Sequence, residues 1–393
     1  MTYDPFTRGA HPVGVRSDLW TDTERQRTLP VEIWYPAHDR HRGHDLDPEH
    51  WDTFSPGWVV EGQADPADVV HQTAVRDADW ADPSSKHPLI LLIHGYAGFR
   101  REATFLGTHL ASHGYVVVSP DVVGSTFLDV NAFLTTEEPS LTSPAEHNGE
   151  PDDDNDHLRT IARNRKKDIP FLIDTATTTL PVRPHGVGVT GASFGGWSSI
   201  VAPAVDDRVT AVVPMCPAGG DSPVDAPDNG FVTELALDWH NDAPALVLAA
   251  DRDSLLPLYG QLALFRSLPA TLKRMVVLAR ADHNHFVDDI DTGQAWLKEF
   301  AEQLAALFPD GPGDWPRVAR SVEPIERLVS GDKAKLAWQG LVTAHFDAHL
   351  CDDPGARAFV SADPDAVLAA RGIDTYTIEF GSPASAVSTH RAR

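Results

Sequence analysis

The 393-residue sequence predicts an α/β fold built on a doubly wound, mostly parallel sheet, and three observations carry that expectation. Six short, continuous apolar runs recur between residues 89 and 279. Polar and amphipathic stretches of helical length separate them, which is the alternation a parallel sheet covered on both faces requires. Ahead of the first run, two extended segments split by a polar turn and stopped by Pro36 add an antiparallel hairpin at one edge.

The hairpin strands lie around Val13 to Leu19 and Leu29 to Trp34, with "TDTERQR" between them. From Ala37 to His87, His, Asp, Pro and Gly dominate and periodicity fades. This stretch reads as a long surface excursion with one short helix and no chemistry. The six runs follow: "LILLI" at Leu89 to Ile93, "YVVVS" at Tyr115 to Ser119, "GVGVT" at Gly186 to Thr190, "VTAVVPM" at Val209 to Met215, "ALVLAA" at Ala245 to Ala250 and "MVVLA" at Met275 to Ala279. Unbroken apolar runs of this length suit strands buried on both faces. After the first, Phe105, Leu106, His109 and Leu110 make one helical face, and Gly114 supplies its stop. Leu134 to His157 is too long for an ordinary connection and is expected as an exposed insertion near the substrate entrance. Its acidic residues Asp152, Asp153, Asp154 and Asp156 lack the glycine and distant Glu of an EF-hand, so they read as a solvated loop. Phe308 to Gly331 leads into a helical tail containing "KLAWQGLVTAHFDAHL". With no repeat or boundary in view, residues 1–393 are expected to form one domain. Its core would span about 88–305, its insertions about 37–87 and 134–157, and its tail 306–393.

An apolar content of 42% can fill a large core, whereas 32 basic against 57 acidic residues give a net charge of −25. That charge repels nucleic acid and anionic membrane surfaces, so neither is expected as a partner. The opening "MTYDPFTRGAHPVGV" shows no basic segment followed by an apolar one, and the longest apolar runs are too short to span a bilayer. Cys216 and Cys351 are too few for a disulfide framework, although one bridge between them stays open, and a reducing, cytoplasmic location is expected. Ten tryptophans, among them Trp58, Trp80, Trp197 and Trp239, are read as core or partly buried surface rather than as a substrate cage.

Chemistry concentrates after the third run. "GASFG", Gly191 to Gly195, sits between the strand "GVGVT" and the helix-forming "FGGWSSIVAPAV". A serine on so tight a strand-to-helix turn is forced into a sparsely allowed conformation, and only glycine at 191 and 195 leaves room for the neighbouring strand and helix. Ser193 is therefore the candidate nucleophile, its plain alternative being a glycine loop that packs a helix closely. A serine hydroxyl needs a base oriented by an acid. "DRDSLLP" follows the fifth run and "RADHNHF" the sixth, so the order is serine, aspartate, histidine. Asp253 is favoured over Asp251, which abuts the strand end, and His283 over His285. A zinc reading of "DHNH" lacks a third ligand cluster, since "HDRHRGH" at His38 to His44 lies in the excursion, so no metal is expected. Oxyanion donors are expected at the N–H groups of Phe194, just after the nucleophile, and Tyr96, in the "HGYAGF" that ends the first run.

These stretches resemble the α/β-hydrolase superfamily, in its branch of platelet-activating-factor acetylhydrolases and predicted dienelactone hydrolases. The similarity lies in "PVGVRSDLWTDTERQRTLPVEIWYP", "HPLILLIHGYAGFRREATFLGTHLASHGYVVVSPDVVGST", "DIPFLIDTA", the Ser193 turn, "DRDSLLP" and "ADHNHF", reaching from near the N-terminus to about residue 300. It implies a serine-dependent, cofactor-free hydrolase acting on esters, with Tyr96 and Phe194 at the oxyanion positions. The chain departs from that pattern at Ala192, where the branch often has His. It also has serine where dienelactone hydrolases use cysteine, and "SPDVVGST" lacks a customary His after Asp. The expectation is a carboxylesterase. Alternatives are the same machinery directed at amide, lactone or polyester bonds, and a catalytically silent scaffold that binds a ligand or partner.

Overall fold

The hairpin opens the computed structural model, which describes residues 3–135, 157–224, 229–307, 309 and 313–379. Strands β1 (Val13–Asp22) and β2 (Arg27–Pro36) pair antiparallel along their whole length, from Val13 opposite Pro36 to Asp22 opposite Arg27. The next segment departs from its expectation as a surface excursion with one short helix. It holds two 3₁₀ turns, an antiparallel pair β3 (Asp52–Phe54) and β4 (Val70–Gln72), and β5 (Val75–Arg76), which runs parallel to β1. The polar composition that suggested solvent is instead paired inward. Arg76 bridges Asp52 at 2.5 Å and the fully buried Glu32 of β2 at 3.0 Å, and Gln72 links Trp34 to Asp52.

The six apolar runs become β6 (His87–Leu92), β7 (Val116–Pro120), β8 (Val182–Ala192), β9 (Val209–Met215), β10 (Ala245–Ala250) and β11 (Lys273–Leu278), parallel to one another, with β7 antiparallel to β2 on its outer side. A strand absent from the sequence reading, β12 (Thr375–Ile378), adds antiparallel to β11. The sheet of ten strands runs β12-β11-β10-β9-β8-β6-β7-β2-β1-β5. The chain leaves β6 for β7 on one side and returns to β8 on the other. That reversal opens a crevice at the carboxyl ends of β6 and β8, where such sheets place their ligands.

Helices α1 (Thr104–Ser112), α2 (Phe127–Thr135), α3 (His157–Thr179), α4 (Phe194–Val205), α5 (Gly230–Thr233), α6 (Leu258–Ser267), α7 (Ile290–Leu307), α8 (Trp315–Ser321) and α9 (Gly331–Leu350) surround the sheet. Alternate strand residues feed two cores. Leu89 and Leu91 of β6 pack with Ile169, Leu172 and Ile200 of α3 and α4, while Ile90 and Leu92 pack with Leu106, Leu110, Trp338 and Phe346 of α1 and α9. Each strand is thus apolar on both faces, which accounts for the unbroken runs. Within the stretch expected as a helical tail, "KLAWQGLVTAHFDAHL" lies in α9, and its Phe346 lies so close to β8 that a Cβ on Gly188 would stand 2.7 Å from the ring. Cys216 and Cys351 are both free thiols, so the open disulfide is not formed. No helix among the described residues is long and apolar enough to cross a membrane. Most of the insertion 134–157, namely 136–156 with its acidic run, lies outside the described residues.

Candidate active site

Strand β8 ends at Ala192 and α4 begins at Phe194, leaving Ser193 alone at the junction with φ 58° and ψ −115°. The two glycines around it have no substitute: a Cβ at Gly191 would come within 2.0 Å of the Ile93 carbonyl oxygen, and one at Gly195 within 1.8 Å. The Ser193 N–H donates to Met215 O at 2.9 Å, and its carbonyl accepts from Trp197 N at 3.0 Å and Ala218 N at 3.1 Å. With its backbone held on both sides, Ser193 stays partly exposed while Ala192 and Phe194 are buried.

The loops after β10 and β11 meet. Asp253, 5% exposed, faces the His283 ring, with Nδ1 of His283 3.0 and 3.1 Å from the two carboxylate oxygens. The carboxylate is fixed from the other side by the N–H groups of Leu255 and Leu256 and by Gln261 Nε2. Asp251 instead accepts from Ala281 N at 3.3 Å and takes no part in this pairing. His285 is fully buried and has both ring nitrogens engaged by backbone. Its Nδ1 accepts from Asp282 N at 3.0 Å, which leaves the proton on Nε2 to be donated to Val329 O at 3.1 Å. The two histidines of "DHNH" therefore do not converge on a common point. Burial pulls the His283 pKa down, but the charge and hydrogen bond of Asp253 outweigh it, so the pKa stands above its usual 6.5.

Asp282 was not singled out in the sequence. It accepts from His283 N at 2.7 Å, from Ser254 N and Oγ at 2.8 Å, and from Gln294 Nε2 at 2.8 Å, so one buried carboxylate ties the aspartate loop to the histidine loop. Its neighbour in "RADHNHF" was read for histidines, and an aspartate at an N-cap was the available signal. Cys216, at the end of β9, lies beside the pair. Its Sγ and atoms of Asp253 and His283 fall within 4.8 Å of one another, the one such group of potential metal ligands among the described residues. Burial, with Asp253 adding to it, pushes the thiol pKa well up, so Cys216 is a neutral filler there.

The turn after β6 closes the site. A Cβ on Gly95 would stand 3.4 Å from Ser193 Cβ and 3.9 Å from its Oγ, which places this backbone directly against the serine. Gly95 N donates to Glu102 Oε1 at 2.9 Å and Ala97 N to Ser125 O at 2.9 Å, whereas the Tyr96 N–H between them has no acceptor among the described residues. Phe194 opens α4, so its N–H has no helical partner either. Behind the turn, Val122 N donates to His94 Nε2 at 2.8 Å, which puts the ring proton on Nδ1, 2.7 Å from Gly95 O. Burial, helped by Arg165, lowers the His94 pKa to about 3 and keeps the ring neutral. Arg165 of α3, 1% exposed, reaches the same turn with Nη1 on His94 O at 2.8 Å and Nη2 on Gly95 O at 3.2 Å. Neither Arg165 nor Glu102 was anticipated. A lone arginine in an amphipathic helix reads as a solvated residue until the fold shows which face it occupies.

The sheet order, the serine elbow and the carboxylate and histidine loops define an α/β hydrolase. The profile of the dienelactone hydrolase family matches residues 77–283, more than half of the chain, and the protein belongs to that family. The profile of platelet-activating factor acetylhydrolase, isoform II, matches residues 3–123. Cutinase 2 of Thermobifida cellulosilytica is 23% identical over 233 residues, covering 56% of this chain and 72% of that protein. A solved ferulic acid esterase from Streptomyces cinnamoneus superposes with a TM-score of 0.54 at 24% identity, over 87% of this chain and 91% of that one, and shares the fold. The family places the chain among hydrolases that act on ester bonds.

Proposed function

We propose that the protein is a serine carboxylesterase in which Ser193 is the nucleophile, His283 the general base and Asp253 its orienting acid. The observation that carries this reading is the Asp253–His283 pairing at 3.0 Å, with Cys216 against the pair and its neighbour Met215 accepting the N–H of Ser193, which is held at φ 58° on a strand-to-helix turn. Asp253 accepts the Nδ1 proton of His283, which leaves the Nε2 lone pair to take the Ser193 proton as Oγ attacks the ester carbonyl. The raised His283 pKa suits a base that must hold this proton and return it to the leaving alcohol. Negative charge on the former carbonyl oxygen is received by the Tyr96 and Phe194 N–H groups. Collapse expels the alcohol and leaves an acyl group on Ser193, and a water activated by His283 releases the acid. No metal or cofactor enters these steps, and the substrate is a small-molecule ester. Free thiols at Cys216 and Cys351 support a reducing, cytoplasmic setting.

A fluorophosphonate should label the wild type at Ser193, and Ser193→Ala should lose labelling and about 10⁴-fold in kcat on p-nitrophenyl acetate while keeping its circular dichroism. Near-normal turnover by that folded variant would overturn the reading, as would activity lost to EDTA and restored by zinc.

A further inference from the structure

We propose that Arg165 is a positioning residue of the oxyanion hole, one guanidinium holding both backbone segments whose N–H groups receive the developing charge. The inference rests on the serine-esterase reading above. Among the described residues Arg165 makes four hydrogen bonds, each to an uncharged acceptor. Nη1 reaches His94 O at 2.8 Å and Ser198 Oγ at 3.3 Å, while Nη2 reaches Ser125 Oγ at 2.8 Å and Gly95 O at 3.2 Å. Its carbon centre also sits 4.1 Å from the centroid of the Phe194 ring. Burying a guanidinium without a bidentate carboxylate is costly, and uncharged donors would tie down two carbonyls as well. The charge therefore has to be explained by what it faces.

A trans peptide points its C=O and N–H in opposite directions. Gly95 O is drawn back by Arg165 and by His94 Nδ1, so the N–H of the same peptide, that of Tyr96, is aimed away from both. The same turn lies against Ser193, whose Cβ is 3.4 Å from the Cβ position of Gly95. A charged donor on the carbonyl also polarises the peptide and strengthens its N–H as a donor. The second segment is held through the Phe194 ring and through Ser198, one turn further along α4, so the first residue of the helix cannot rotate its N–H off the same point. Glu102 completes the frame from below by accepting Gly95 N, and its own backbone carbonyl accepts Asp288 N from the histidine loop at 2.8 Å. The Arg165 pKa is drawn down to about 9 by burial, with the Glu102 charge opposing, so the guanidinium is still cationic at neutral pH.

The test compares wild type with Arg165→Gln, Arg165→Lys and Ser125→Ala, using p-nitrophenyl acetate and an aryl trifluoromethyl ketone. The ketone carbon bonds to Ser193 Oγ, the hydroxyl proton passes to His283, and the ketone oxygen becomes an oxyanion in the hole. Because a misaimed donor should cost somewhat less than a deleted one, Arg165→Gln is expected to lose about 10- to 100-fold in kcat with KM within about two-fold. Affinity for the ketone should fall by the same factor as kcat/KM. Arg165→Lys keeps the charge but reaches fewer acceptors, and should fall between wild type and Arg165→Gln. Folded Arg165 variants with wild-type kcat, or a kcat loss with unchanged ketone affinity, would overturn the proposal. If the Arg165 variants do not fold, Ser125→Ala decides, since it removes one of the two acceptors that hold Nη2 in place without removing the charge. Parallel losses of about two- to five-fold in kcat and ketone affinity support positioning, and no change in either refutes it. A wild type that neither cleaves the ester nor forms the ketone adduct would instead refute the serine-esterase reading.

Discussion

Replacing Ser193 by glycine should give an inactive protein that is more stable than the Ser193→Ala variant. Ser193 sits at φ 58° and ψ −115°, outside the regions open to residues with a Cβ. Such a conformation costs about 1–3 kcal/mol, and alanine, which keeps the Cβ, keeps that cost. Glycine releases it, but brings about 0.5–1 kcal/mol of extra chain entropy to the unfolded state relative to alanine. The difference should leave Ser193→Gly about 1 kcal/mol more stable than Ser193→Ala, with the wild type close to the alanine variant. Urea unfolding followed by tryptophan fluorescence would read the three midpoints, with fluorophosphonate labelling confirming that both variants lack the nucleophile. A glycine variant less stable than the alanine variant would mean that the turn at 193 stores no strain, and the elbow would lose its physical basis.

Asp253→Asn should lower kcat about 10³- to 10⁴-fold by removing the group that orients His283. Because Asp253 holds the His283 pKa above 6.5, wild-type kcat/KM should fall as pH drops through that raised value. The pairing's contribution to stability has the opposite dependence, being full below 6.5 and lost as pH rises through the raised value. In Asp253→Asn burial dominates, so the acid limb of the pH–rate profile should move to lower pH. His285→Ala should cost about 2–3 kcal/mol of stability by orphaning buried backbone groups, with kcat of the folded fraction within a few-fold of wild type. His283→Ala should do the reverse, and urea midpoints beside kcat values separate the two. Gly195→Ala, whose Cβ would meet Ile93 O at 1.8 Å, should destabilise the protein by about 3 kcal/mol or more, read as a lower thermal midpoint together with lost labelling.

The alternation of apolar runs made the parallel sheet legible because burial on both faces leaves no polar position in a strand. The serine turn was legible for a similar reason, since the two backbone contacts at Ile93 O admit only glycine and so leave their mark in the sequence. The contact between Asp253 and His283 could be expected because topology puts both loops at the carboxyl edge of the sheet. The remainder lay in contacts between distant residues with no local signature. Asp45, Asp52 and Gln72 belong to a stretch whose composition is that of a solvated loop, yet they are buried, Asp45 on Arg8 and Val13 N, Gln72 on Trp34, and Asp52 on Gln72 and Arg76. Arg165 looks like any arginine between polar neighbours, and only the placement of α3 turns it toward Gly95. Strand β12 follows the two short helices Pro354–Val360 and Pro364–Ala369, and its "TYTI" is too brief to stand out by alternation.

Helix α9 has a bearing on when activity can arise as the chain is made. Trp338 donates its indole N–H to His285 O at 2.7 Å and stacks on Phe286, while Val329 O receives the His285 ring proton. The loop that presents His283 is therefore braced by residues translated some fifty positions after it. A nascent chain that has already built β6 to β11 carries the serine, the aspartate and the histidine, but the histidine loop lacks its backing until α9 has left the ribosome and docked. Order of synthesis thus delays the backing of the His283 loop until after the serine, the aspartate and the histidine have been made, so that the proposed esterase centre is supported only once α9 has docked.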